Sequence, residues 1–178
     1  NAVNAQNTVN PAGTIGAEGN NGTGVTGVNW DVSIMPVRAA DAGGSLPDAA
    51  IIDAIDYACA NGADVVNGSF GSPAFSMAIA NAVTDSSCAD TLFVFAAGNE
   101  GRNLDANGAA NNSFPCELHR APAQDGVSAP NVLCVAATGP SDTLASFSNR
   151  GASAVHLAAP GVNIRSTWPA YSTISGFP

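Results

Sequence analysis

The ten residues Leu92–Gly101, Leu-Phe-Val-Phe-Ala-Ala-Gly-Asn-Glu-Gly, constrain the fold more than any other stretch of the chain. Leu92, Phe93, Val94 and Phe95 form an unbroken apolar run of strand length, the pattern of a strand buried on both faces of a parallel sheet. Ala96, Ala97 and Gly98 then remove bulk just past the strand's carboxyl end, where open α/β sheets place their sites. Asn99 offers a side-chain N–H beside backbone that another chain can approach. These parts suit stabilisation of an oxyanion, and equally a plain Gly-Asn turn after a strand.

The flanking sequence repeats strand and helix signals. Val32–Val37 reads as a strand, followed by the loop Asp41–Ser45. Pro47-Asp48 starts a helix whose Ile51, Ile52, Ile55, Ala58 and Cys59 share one face, and Asn61-Gly62 stops it. Val65–Val66 reads as a buried strand, Asn67–Gly71 as the turn out of it, and Ala74–Val83 as a second helix. Val132–Ala137 and the shorter Val155–Ala158 read as further strands, the latter broken at Ala159-Pro160-Gly161. Such alternation predicts a parallel, right-handed α/β sheet. Residues 1–11 lack periodicity and are expected to be irregular.

A chain of 178 residues that is 46% hydrophobic and 11% charged can bury a core as one domain. The net charge is −9 and the five basic residues are all Arg, so no basic patch exists for nucleic acid. No apolar run approaches membrane-spanning length, so no membrane role is expected. The amino terminus shows neither a charged leader nor an apolar core, so a signal peptide is expected to be absent or already removed. Cys59, Cys88, Cys116 and Cys134 lack Cys-x-x-Cys spacing. An even count in an acidic, Asn/Ser/Gly-rich chain points to two disulfides and secretion, with four buried thiols as the alternative. Cys59 near the end of a helix and Cys88 just before the next strand belong at the same end of neighbouring units. Cys116 and Cys134 bracket an irregular loop. The expected pairs are therefore Cys59–Cys88 and Cys116–Cys134.

Several blocks, in order and at matching spacing, resemble the subtilisin-like serine proteases (subtilases). Ala96–Gly101 resembles the family's oxyanion block, with Asn99 in the oxyanion position. Asn67-Gly-Ser-Phe-Gly-Ser-Pro73 resembles its substrate-holding edge segment. Leu144-Ala-Ser-Phe-Ser-Asn-Arg-Gly151, Ala158-Ala-Pro-Gly-Val162 and Gly22-Thr-Gly-Val-Thr-Gly-Val28 resemble further blocks, the last following the family's catalytic His. The resemblance runs from about Ala12 to Gly176. It implies a three-layer α/β fold, a mostly parallel sheet flanked by helices, incomplete at both ends, with residues 12–178 a partial peptidase domain. It also implies that Gly44-Ser45-Leu46 and Ser69-Phe70-Gly71 flank an extended peptide as added strands, while Ala96, Ala97 and Gly98 line the specificity pocket.

The departures are equally specific. Where the family carries its His, this chain reads Gln6-Asn7, and where the catalytic Ser follows Ser-Gly-Thr it reads Ser175-Gly176-Phe177-Pro178. The strand bearing the family's Asp has no counterpart. The expectation is a core with oxyanion and substrate-binding parts but no triad, inactive alone. The family's Asp strand lies between those matching Ser33–Val37 and Asp64–Asn67. The sheet must therefore close directly, pair with a second copy, or take a complementing fragment.

Two other functions stand beside the peptidase. One is peptide binding without catalysis. The other is an esterase rebuilt on Ser69 with His119 or His156, the chain's two histidines. No cofactor is expected to be required. In the glycine-dense loop, Asn21 with the carbonyls of Gly19, Thr23 and Val25 is a partial calcium candidate, although the family's Asp ligand has no match here.

Overall fold

A computed structural model describes residues 10–41, 43–120 and 126–167, which fall into two compact units. Gln6, Asn7 and Ser175–Pro178 lie outside the described residues.

The larger unit, Val37–Asn163, is a parallel α/β layer. Four strands, β1 (Val65–Gly68), β2 (Leu92–Ala96), β3 (Val132–Thr138) and β4 (Leu157–Pro160), pair in chain order, all parallel. Its helices, here α2 (Asp48–Ala60) and α3 (Met77–Val83), bury Ile51, Ile55, Ile79 and Val83 in one core with Phe93, Phe95 and Leu118. The α2 span and its stop at Asn61-Gly62 match the sequence reading. By contrast, α3 begins three residues later than expected. Ser76 takes the cap position, accepting the Ile79 N–H and donating its hydroxyl to Asp48 Oδ2 at 2.6 Å.

The strands differ from expectation in three ways. Residues on β2 alternate rather than being buried throughout: Phe93 and Phe95 are sealed, while Leu92 is 39% exposed. The run Leu-Phe-Val-Phe thus carries the composition of a two-face strand, but only one of its faces is sealed. Val65 on β1 is 57% exposed, because β1 is an edge strand with β2 as its only ladder neighbour among the described residues. The last strand starts at Leu157, since the Val155 N–H closes a turn onto the Gly151 carbonyl instead. On the inner face, Gly68 leaves room for the Phe95 ring, which a Cβ there would strike. Both disulfides form, Cys59–Cys88 with Cα atoms 5.1 Å apart and Cys116–Cys134 with 4.8 Å.

The smaller unit contains residues 10–36 and 164–167 among those described. Helix α1 (Pro11–Gly16) starts inside the span read as irregular. Asn10 caps it by accepting the Ala12 N–H, and Pro11 supplies the pre-set φ of a first helical position. Residues 32–37, read as a strand, join no ladder, and Val32, Ile34 and Met35 are each 40% exposed. Apolar alternation gives an extended chain, but a strand needs a partner's N–H and C=O groups. Among the described residues, β1 pairs with β2 alone.

Candidate functional site

At the carboxyl ends of β2, β3 and β4 lies a cleft of about 200 Å³. Its walls are Val94–Asn99, Val135–Ala137, Ser148 and Ala159–Gly161. Alanine and glycine dominate this lining, so space remains where larger side chains would fill it.

Gly98 makes the turn that carries Asn99. Its φ is +106°, and a Cβ there would collide with the Asn149 amide, so glycine alone fits. Asn149 is 1% exposed and holds the turn from beneath. Its Nδ2 donates to the Ala97 carbonyl at 2.8 Å and to Glu100 Oε2 at 2.7 Å. Its Oδ1 accepts the backbone N–H groups of Glu100 at 3.2 Å and Arg102 at 2.8 Å. Two donors and two acceptor sites are thus all used, the full capacity of an amide side chain. Ser148 fixes Asn149 in turn, accepting the Ala137 N–H at 2.9 Å and donating to the Asn149 carbonyl at 3.0 Å. The backbone continues the clamp, with Gly101 N–H on the Phe147 carbonyl and Leu104 N–H on that of Arg150, each at 2.7 Å. Asn99 itself is exposed at the mouth of the cleft. An amide N–H held this way on a fixed turn can meet an oxygen that gains charge during acyl transfer.

Ala96, Ala97, Gly98 and Asn99 thus come together. The other predicted substrate segments do not line the cleft. Gly44 and Ser45 close a turn on Asp41, whose Oδ1 accepts the Ser45 N–H at 2.9 Å, while Leu46 packs on the core. Ser69 is exposed, and its Oγ accepts from Asn67 Nδ2 at 2.9 Å. Phe70 meets Phe95 edge-on at 5.6 Å, and Gly71 is exposed.

Neither histidine bonds Ser69. His119 Nδ1 lies 3.0 Å from the Cys116 carbonyl, and His156 Nδ1 accepts the Cys134 N–H at 3.0 Å. The rings lie against each other, centroids 3.9 Å apart. A Ser69 nucleophile with a histidine base is therefore not assembled. In the loop of the smaller unit, Asn21 Oδ1 already accepts the Thr23 N–H at 3.0 Å. Among the described residues, no three His, Cys, Asp or Glu side chains cluster as metal ligands. Asn21 brings one side-chain oxygen toward the about six to eight that calcium takes, so the other ligands of this candidate would be the carbonyls of Gly19, Thr23 and Val25 and water.

Asn149 is the residue that sequence reasoning missed. Its block reads as a compact turn, and its hydrogen-bond partners lie 47 to 52 positions away. The one available signal was an Asn flanked by Ser148 and Arg150 in a block otherwise small and apolar.

A profile described as the subtilase family matches residues 9–176. Subtilisin DY of Bacillus licheniformis is 34% identical over 157 residues, covering 86% of this chain and 52% of that protein. The crystal structure of a cold-adapted subtilisin-like serine proteinase superposes with a TM-score of 0.65 at 30% identity, covering 88% of this chain and 49% of the other. A structure of proteases from Pseudoalteromonas arctica gives 0.67 at 31% identity, covering 84% and 42%. The chain spans about half the length of these relatives.

Proposed function

The chain belongs to the subtilase family, and from that premise we propose that it supplies the oxyanion and substrate-binding part of a serine endopeptidase acting on peptide or protein substrates. The observation that carries this reading is Asn99, exposed at the mouth of a small-residue cleft on a turn clamped by Asn149. In the reaction a serine attacks the scissile carbonyl, a histidine takes its proton, and an anionic tetrahedral oxygen forms. The Asn99 amide donates to that oxygen. The small residues Ala96–Gly98 leave room for the side chain before the cut bond, and segments 44–46 and 69–71 pair with the peptide backbone.

Both histidines of these 178 residues hold backbone groups and each other, so neither serves as the base. These residues alone are proposed to bind peptide and to hydrolyse it little or not at all. We assign them to an oxidising, extracellular setting, on the strength of the two disulfides. No described helix is long and apolar enough to cross a membrane. The open edge of β1 is the place for a further strand, from the rest of the protein or from a second copy.

The test is a titration with an extended peptide aldehyde, followed by NMR of the side-chain and backbone amides. The expected result is movement of the Asn99 side-chain amide and of Ala96–Gly98. Saturation with no change at these residues would remove the reading.

A further inference from the structure

The two histidines sit over one disulfide, each bound to the backbone of a different half of it. His119 Nδ1 faces the Cys116 carbonyl at 3.0 Å, so that nitrogen carries a proton. His156 Nδ1 accepts the Cys134 N–H at 3.0 Å, so that nitrogen carries none. The His156 backbone N–H donates back to the Cys134 carbonyl at 3.0 Å, and the ring thus replaces a ladder bond just before β4 begins. The two rings lie 3.9 Å apart at a 55° tilt. The strand that follows, β4, forms one wall of the cleft through Ala159 and Pro160.

We infer that the His119–His156 pair is an acid-released latch that holds β4, and with it one wall of the cleft, against β3. A proton taken from solvent lands on His156 Nδ1, the atom that accepts the Cys134 N–H. The bond is replaced by two N–H groups facing each other. His119 Nε2 lies 3.4 Å from the Ser153 carbonyl. Burial first, and the His119 ring second, hold the His156 imidazole below its ordinary value.

Among the described residues, the charged groups on the segments flanking the pair are Glu117, Arg120 and Asp105. Glu117 and Arg120 form an ion pair at 2.6 Å, and Arg120 lies 3.6 Å from Asp105. Asp105 accepts the Ser153 and Ala154 N–H groups, and the Ser153 bond chiefly holds its carboxyl below the usual range. Asp105 therefore stays ionised while His156 titrates, and the pH dependence falls to the His156 ring. Release of β4 loosens the cleft wall whether or not the cleft takes a peptide.

Amide hydrogen exchange read residue by residue at about pH 7.5 and about pH 5, corrected for intrinsic rates, tests this. Protection of Cys134, Ala158 and Ala159 should fall about tenfold more than that of Phe93 and Phe95 on acidification. His156→Asn keeps an acceptor for the Cys134 N–H but cannot titrate, and should abolish the difference. Equal protection at both pH values, loss spread evenly over β2, or a difference that survives His156→Asn would overturn the latch. Should His156→Asn fail to fold, His119→Gln serves in its place. It removes the ring that helps lower the His156 value and should move the loss of protection to higher pH, and an unchanged dependence there would also overturn the latch.

Discussion

Asn149 Nδ2 donates to the Ala97 carbonyl at 2.8 Å, joining residues 52 positions apart. Through that bond a buried side chain on one connection shapes the turn that presents Asn99 on another.

Asn149→Ala should therefore destabilise the fold by roughly 3 kcal/mol, because it leaves the Glu100 and Arg102 N–H groups and the Ala97 carbonyl without their partner. Urea unfolding measures this. A loss below about 1 kcal/mol would mean that water replaces the amide at little cost.

Asn99→Ala should behave in the opposite way. The side chain is exposed, so stability should change by less than about 1 kcal/mol while peptide binding weakens. If the same denaturation curve moved as far as it does for Asn149→Ala, Asn99 would be a structural cap.

How far the chain can be read from its residues follows from this contrast. The helix at 48–60 and the strand beginning at Leu92 announce themselves locally, through Ile51, Ile55 and Cys59 at helical spacing and through an apolar run. Asn99 is placed by the glycine and alanines beside it and by family resemblance. Asn149 carries only a weak local mark, since its meaning lies in N–H and C=O groups on a distant turn. Residues 32–37 mislead for a related reason: alternation describes one strand, whereas a ladder needs two. The caps at Asn10 and Ser76 were legible in principle, as Asn-Pro and as a Ser before an apolar run, and they set helix starts that composition blurred.

Incubation of the chain with a fluorophosphonate probe should give no stoichiometric label. Ser69 accepts from Asn67, and both imidazoles are engaged elsewhere, so Ser69 has no histidine base. Label on Ser69, lost in His119→Ala or His156→Ala, would restore the esterase reading.

Stability should fall on mild acidification, and the sign follows from His156. Its folded value lies below the ordinary 6.5, so the unfolded chain takes up the proton first as pH drops. This contribution is complete above about 6.5 and is lost as pH falls through the folded value. Urea midpoints should drop between about pH 7.5 and about pH 5.5 in the native chain, and drop less in His156→Asn. Parallel curves for the two proteins would assign the effect to other groups.

Removing the Cys116–Cys134 bond with a double Ser substitution should cost roughly 3 kcal/mol, the loop entropy expected for a separation of 18. Differential scanning calorimetry reads the loss. No change in melting temperature would show that the unfolded chain is already confined there.

The other bond has a topological consequence. Cys59 ends the helix before β1 and Cys88 precedes β2, so β1 and α3 lie inside one covalent ring spanning 29 positions. Among the described residues, the open edge at β1 is therefore carried on a closed loop rather than on a free arm. A second copy can add to that edge, but it cannot thread through and trade arms with it. A single protease cut between Cys59 and Cys88 would likewise open the ring without freeing a fragment, and the two pieces would part only on reduction.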